Sequence, residues 1–178
     1  MHAPLPQFPA PSLDVALVGG GTWSLAAQQP EAFTMVVAYR GLHCPICKKY
    51  LRTLTDLAAD YRERGVDALA VSMDPEARAR KARMDWDLDG FALGYGLTAE
   101  QARNWGLYLS RAVKPEEPAL FCEPGLFLIR PDGTLYYAAV NSAPFGRPHL
   151  PTFLESVDYV LENDYPARGE VQVTGAAA

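Results

Sequence analysis

The sequence predicts an α/β protein with helices packed on both sides of a mixed central sheet. Three observations carry that expectation. Phe33-Thr34-Met35-Val36-Val37-Ala38-Tyr39 is an apolar, β-branched run suited to a buried central strand. From Pro45 to Arg64 the apolar positions Ile46, Tyr50, Leu54, Leu57, Ala58 and Tyr61 recur at helical spacing. Val66 to Met73 then reads as a second buried strand, and parallel strands of this kind require helical crossovers.

The remaining elements follow in order. Residues 1 to 30 form a Pro- and Gly-punctuated arm, in which Gly19-Gly20-Gly21 reads as a loop between two short extended segments. No Gly-Lys-Ser/Thr follows these glycines, so a phosphate loop is not expected. Gly65 stops the first helix. Asp74-Pro75 reads as an N-cap and a first helical proline, opening a helix to about Trp86. Thr98 and Gln101 have capping-box form, as do Thr152 and Glu155 at the start of a last helix that ends before Pro166. Gly125–Arg130 and Thr134–Val140 read as two strands joined by Pro131-Asp132-Gly133. The expected organisation is one domain over residues 1–178, with an arm at 1–30 and a tail from about 166, frayed at Ala176 to Ala178.

The chain has 178 residues, 49% of them hydrophobic, and a formal net charge of -5. That apolar fraction supports a sizeable core without a disulfide framework. The acidic balance and the lack of basic runs argue against nucleic acid as a partner. No run approaches the roughly 18 apolar residues of a membrane span, and Met1 to Pro11 lacks the pattern of a signal peptide. The expected setting is cytoplasmic, where three cysteines point to catalysis, metal binding or inert burial rather than structural bridges.

Cys44-Pro45-Ile46-Cys47 is the strongest chemical signal. It stands after the first central strand, at the carboxyl end of a sheet, where sites form in such folds. With Pro45 at a first helical position, Cys44 becomes the N-cap, and its sulfur faces unpaired N–H groups and the positive end of the helix dipole. That setting favours the thiolate. Cys47 lies one turn on, on the same side, so the two sulfurs can close and reopen a disulfide. Zinc binding would normally use a second ligand pair, and the remaining candidates, Cys122, His2, His43 and His149, do not supply one at a recognisable spacing. No metal and no organic cofactor is expected, since sulfur carries the electrons.

The stretch Val36-Val37-Ala38-Tyr39-Arg40-Gly41-Leu42-His43-Cys44-Pro45-Ile46-Cys47-Lys48-Lys49-Tyr50-Leu51 resembles the active-site segment of peroxiredoxin-like proteins of the AhpC/TSA (redoxin) family. Gly125-Leu126-Phe127-Leu128-Ile129-Arg130-Pro131-Asp132-Gly133 is similar to that family's later strand and turn, and Pro9-Ala10-Pro11 suits its early arm. The resemblance spans roughly residues 9 to 163. It implies a thioredoxin fold and a thiol-dependent redox enzyme. The implied partners are a disulfide-containing protein, or a small peroxide or thiol substrate, with a reducing thiol system.

The departures from the family pattern set the roles. Laid on this chain, P-x-x-x-T-x-x-C puts Arg40 at the proline, Cys44 at the threonine and Cys47 at the peroxidatic cysteine. Thioredoxins use the first cysteine of C-x-x-C as nucleophile, which is Cys44. Peroxiredoxins carry an arginine shortly before the later strand, whereas Pro124 stands here, as a cis-proline does in thioredoxins. Pro124 is therefore expected to be cis and, with Glu123, to line a substrate groove, the alternative being a trans proline that opens a strand. This favours dithiol–disulfide exchange through Cys44, with Cys47 as peroxidatic cysteine the alternative and a metal-binding or redox-sensing module the rival outside catalysis.

His43 is read either as tuning Cys44 or as an exposed loop histidine, and Arg40 either as a replacement cation or as a surface residue. Glu123 is read either as a proton acceptor for Cys47 or as a solvated carboxylate, and Cys122 as an alternative resolving thiol or a small buried hydrophobe. Pro144-Phe145-Gly146-Arg147-Pro148-His149, between the last strand and the last helix, is either a cover for one side of the site or a proline-rich loop.

Overall fold

The computed structural model describes residues 3–172. The expected fraying of Ala176 to Ala178, and His2 as a metal candidate, lie outside the described residues. Phe33–Ala38 forms β3, and all six of its residues are buried. It pairs in parallel with β4 (Val66–Val71) and antiparallel with β8 (Gly125–Ile129). Around it lie β1 (Asp14–Leu17), β2 (Thr22–Ser24), β5 (Ala92–Tyr95) and β9 (Leu135–Val140), in the order β2-β1-β5-β4-β3-β8-β9. The mixed sheet has helices on both faces, as expected.

Strand alternation divides the core. Met35, Val37 and Tyr39 point to one face, against Leu51, Leu54 and Tyr61 of α1 (Pro45–Glu63), Ala82 and Trp86 of α2 (Glu76–Trp86), and Leu154 and Val157 of α4 (Leu150–Glu162). Val36 and Ala38 point to the other, against Leu13, Trp23, Trp105 and Phe127. Both crossover helices, α1 and α2, pack on the first face. The second is closed by the N-terminal segment and by α3 (Ala99–Asn104), which starts in the capping box expected at Thr98 and Gln101.

Several local expectations are corrected. Asp74 does not cap α2; Pro75 is the N-cap residue and no side chain caps that end. The Asp74 carboxylate turns instead to the loop before Cys44, accepting from Leu42 N at 2.7 Å and from Arg78 Nε at 2.8 Å. α4 begins at Leu150 rather than at Thr152, because Pro151 is accommodated in its first turn. The two short extended segments expected either side of Gly19–Gly21 are present as β1 and β2, and they join the sheet: β1 pairs with β2 across that turn and with β5. β5 and the short ribbon of β6 (Leu109–Arg111) with β7 (Leu120–Cys122) go beyond what periodicity revealed.

Asp74 leaves no room for a side chain at Gly41. That residue has φ 122°, and a Cβ there would lie 2.6 Å from Asp74 Oδ2. Gly41→Ala should therefore cost about 2 kcal/mol or more, from backbone strain together with the lost carboxylate position. Urea unfolding of the two proteins measures the difference.

Candidate active site

β3 delivers the chain to the amino end of α1, and the C-x-x-C motif occupies that junction. Cys44 has extended backbone angles and is the N-cap, with Pro45 in the first turn. Its sulfur takes the place of a capping oxygen: Cys47 N donates to Cys44 Sγ at 3.2 Å. Cys44 N donates to Gly41 O at 3.1 Å, and Cys44 O accepts from Lys48 N at 3.1 Å. Both thiols are buried.

The two sulfurs differ in acidity. Hydrogen bonding from the Cys47 thiol, joined by the Cys47 N–H and the charges of Arg40 and Arg147, outweighs burial and lowers Cys44 to about 6. Burial, followed by the hydrogen bond to Cys44 and the Cys44 charge, pushes Cys47 upward. The pair thus holds one thiolate on Cys44 and one proton on Cys47.

A charged cluster flanks the pair. Arg40 stands at the end of β3, its guanidinium 4.6 Å over the Phe121 ring. Its Nη2 lies 3.4 Å from Glu117 Oε1 and its Nε 3.3 Å from Glu123 Oε2. Glu123 is buried and also accepts from Ser110 Oγ at 2.7 Å. Its carboxylate, named above as a proton acceptor for Cys47, is thus engaged by Arg40 and Ser110. The His43 ring sits 4.8 Å from that of Phe121, and its burial, followed by the charge of Arg40, lowers its pKa.

Pro124 is not cis; the described residues contain no cis peptide bond. The chain passes directly from β7 into β8. Glu123 N donates to Tyr108 O at 2.8 Å and Pro124 O accepts from Asn141 N at 2.9 Å, so the proline opens the strand where no N–H is needed. Pro124 is buried. Cys122 packs with Val36, Ala38 and Phe127, in the core cluster on the face opposite to Cys44 and Cys47. It donates to Tyr39 O at 3.5 Å, and burial pushes its thiol up to about 12.

One residue at the site escaped sequence reasoning. Arg147, from the segment between β9 and α4, brings Nη2 to 3.8 Å from Cys47 Sγ and stacks its guanidinium 4.2 Å over Tyr50. Its Nε donates to Pro144 O at 3.1 Å. The unusual Pro144–His149 segment was the available signal, but nothing local to it points to Cys47. Among the described residues, no three His, Cys, Asp or Glu side chains gather as a metal-binding group. No described helix is long and apolar enough to cross a membrane.

A family model for the AhpC/TSA family matches residues 3–138. The chain belongs to the AhpC/TSA family. It is accordingly a thiol-dependent oxidoreductase with a peroxidase or related redox role. Among solved structures of the same fold, AhpC from Mycobacterium bovis superposes with TM-score 0.73 at 15% identity, covering 99% of this chain and 100% of its own. The peroxidoxin BcpB of Mycobacterium tuberculosis gives 0.72 at 16%, covering 89% and 99%. A reduced 2-Cys peroxiredoxin from Plasmodium vivax gives 0.69 at 16%, covering 88% and 96%. Comparison with curated protein sequences gives no match.

The thiol acidities make a linkage prediction for this AhpC/TSA site. An acid whose folded pKa is depressed contributes stability that is present above its unfolded value, roughly 8.5, and lost as pH falls through about 6. The stability advantage of the reduced protein over Cys44→Ala should grow from pH 5 to pH 7.5. Denaturant unfolding at the two pH values provides the check.

Proposed function

We propose that this enzyme is a dithiol–disulfide oxidoreductase in which Cys44 is the nucleophile and Cys47 the resolving thiol. The reading rests on one observation above the others: Cys44 Sγ caps α1 and accepts the Cys47 N–H at 3.2 Å. The Cys44 thiolate attacks one sulfur of a substrate disulfide, forming a mixed disulfide and releasing the other half as a thiolate. Loss of the Cys44 charge removes one cause of the raised Cys47 pKa. Cys47 then gives up its proton to solvent and attacks Cys44 Sγ, and the second substrate thiolate leaves. The substrate gains two electrons and leaves as two thiolates that take their protons from solvent, while the enzyme is left with a Cys44–Cys47 disulfide that an external reducing thiol must reopen. Arg40 supports the Cys44 thiolate by charge, and Glu123 and Glu117 hold that arginine.

A second reading has its own observation. Arg147 Nη2 stands 3.8 Å from Cys47 Sγ, so a cation faces the sulfur that the peroxiredoxin pattern aligns with its peroxidatic cysteine. On that reading Cys47 attacks a peroxide oxygen, becomes a sulfenic acid with release of water or an alcohol, and Cys44 resolves it with release of a second water.

Single-cysteine variants separate the two. With 5,5′-dithiobis(2-nitrobenzoic acid), Cys47→Ser should release one equivalent of thionitrobenzoate and retain a mixed disulfide on Cys44, while Cys44→Ser should react at least a hundredfold more slowly. Sulfenic acid formed at Cys47 of Cys44→Ser by stoichiometric peroxide, with none at Cys44 of Cys47→Ser, would overturn the exchange reading in favour of the peroxidase.

A further inference from the structure

Larger hollows, of about 430, 470 and 390 Å³, lie away from the cysteines. A smaller one, of about 300 Å³, borders the active site between the first turns of α1 and the segment between β9 and α4. Its walls include Ile46, Tyr50 and Phe145, and its rim carries Lys49, Arg147 and His149. Ile46 immediately precedes Cys47 in the C-x-x-C motif, and it is 42% exposed. Phe145 faces it from the opposite segment and is 69% exposed. Two large apolar side chains thus stand open to solvent beside a pair of reactive sulfurs.

The charge of the groove is one-sided. No aspartate or glutamate lines it, although the chain as a whole carries a net charge of -5. The Lys49 ammonium has no ion-pair or hydrogen-bond partner among the described residues; the Lys49 carbonyl accepts from Thr53 Oγ1 at 3.1 Å. Arg147 Nη1 is buried without a hydrogen-bond partner, beside the Nη2 that faces Cys47. An apolar floor with a cationic rim fits one large apolar side chain followed by a carboxylate.

We propose that this groove is a substrate subsite that selects protein or peptide disulfides whose reacting cysteine is flanked by an apolar residue and acidic residues. The assignment rests on the exchange reading above. A segment seated on Ile46 and Phe145 brings its neighbouring sulfur to the N-terminal turn of α1, where Cys44 attacks it. Lys49, on the outer rim, takes the acidic flank. The covalent steps are those already written, with the peptide as the half retained on Cys44 and a thiolate as the half released.

The test uses the full-length reduced enzyme and two octapeptides, each joined through its cysteine to thionitrobenzoate. One carries Leu and two Asp beside the cysteine, the other Ser and two Lys. Release of thionitrobenzoate in a single turnover reports the second-order rate constant for each. The acidic, apolar peptide should be preferred by at least tenfold. Phe145→Ser should reduce that ratio severalfold, and Lys49→Glu should shift it towards the basic peptide, a gain that unfolding does not produce. Equal rate constants for the two peptides overturn the groove assignment alone. Failure of the enzyme to react with either peptide overturns the exchange reading as well. A wild-type dimer in sedimentation that Phe145→Ser dissociates would give the groove to a second copy of the chain and likewise overturn the assignment.

Discussion

The hydrogen bond from Cys47 N to Cys44 Sγ is the interaction on which the rest of the site depends. A helix of 19 residues begins with unpaired N–H groups, and here a sulfur rather than an oxygen satisfies one of them. The cap acts together with the hydrogen bond from the Cys47 thiol and the burial of Cys47 in ordering the two thiols. The capping sulfur carries negative charge readily, while the donor residue, one turn deeper and packed in the core, holds its proton. The asymmetry follows from one sulfur preceding the helix and the other lying within it, and burial of Cys47 together with the charges of Arg40 and Arg147 adds to it.

The fold supports this interaction from two directions. β3 is buried along its whole length and anchored by neighbours on both edges, so the end of the strand is a fixed point. Asp74, at the end of the adjacent strand, holds Leu42 N and leaves space only for a glycine at position 41. The loop carrying Cys44 is therefore braced by a carboxylate whose sequence context suggested a helix cap. Arg40 is braced in turn by Glu117 and Glu123, which keep its charge beside the motif.

What was legible in the sequence is what local physics determines. The apolar run of β3, the periodicity of α1, the Thr98 capping box and the C-x-x-C motif each reside in consecutive residues, and each reads directly. The errors arise where a residue's partner is distant in the chain. Asp74 looked like a cap because its neighbours suit one, but its carboxylate is engaged 32 residues away. Pro124 looked cis by analogy with a motif, whereas the local path into β8 runs straight. Arg147 lies 100 residues from Cys47 and has no pattern of its own, so only the packing of the segment between β9 and α4 reveals it. Its contact with Tyr50 shows how an aromatic residue on α1 steers a cation towards the buried thiol.

The order of ionisation within the pair is the central claim, and site-resolved titration tests it directly. In reduced protein labelled with ¹³C at the cysteine Cβ, the Cys44 resonance should move with a midpoint of about 6, while Cys47 and Cys122 stay in their thiol positions to at least pH 8. A Cys47 resonance that titrates below that of Cys44 would contradict the account.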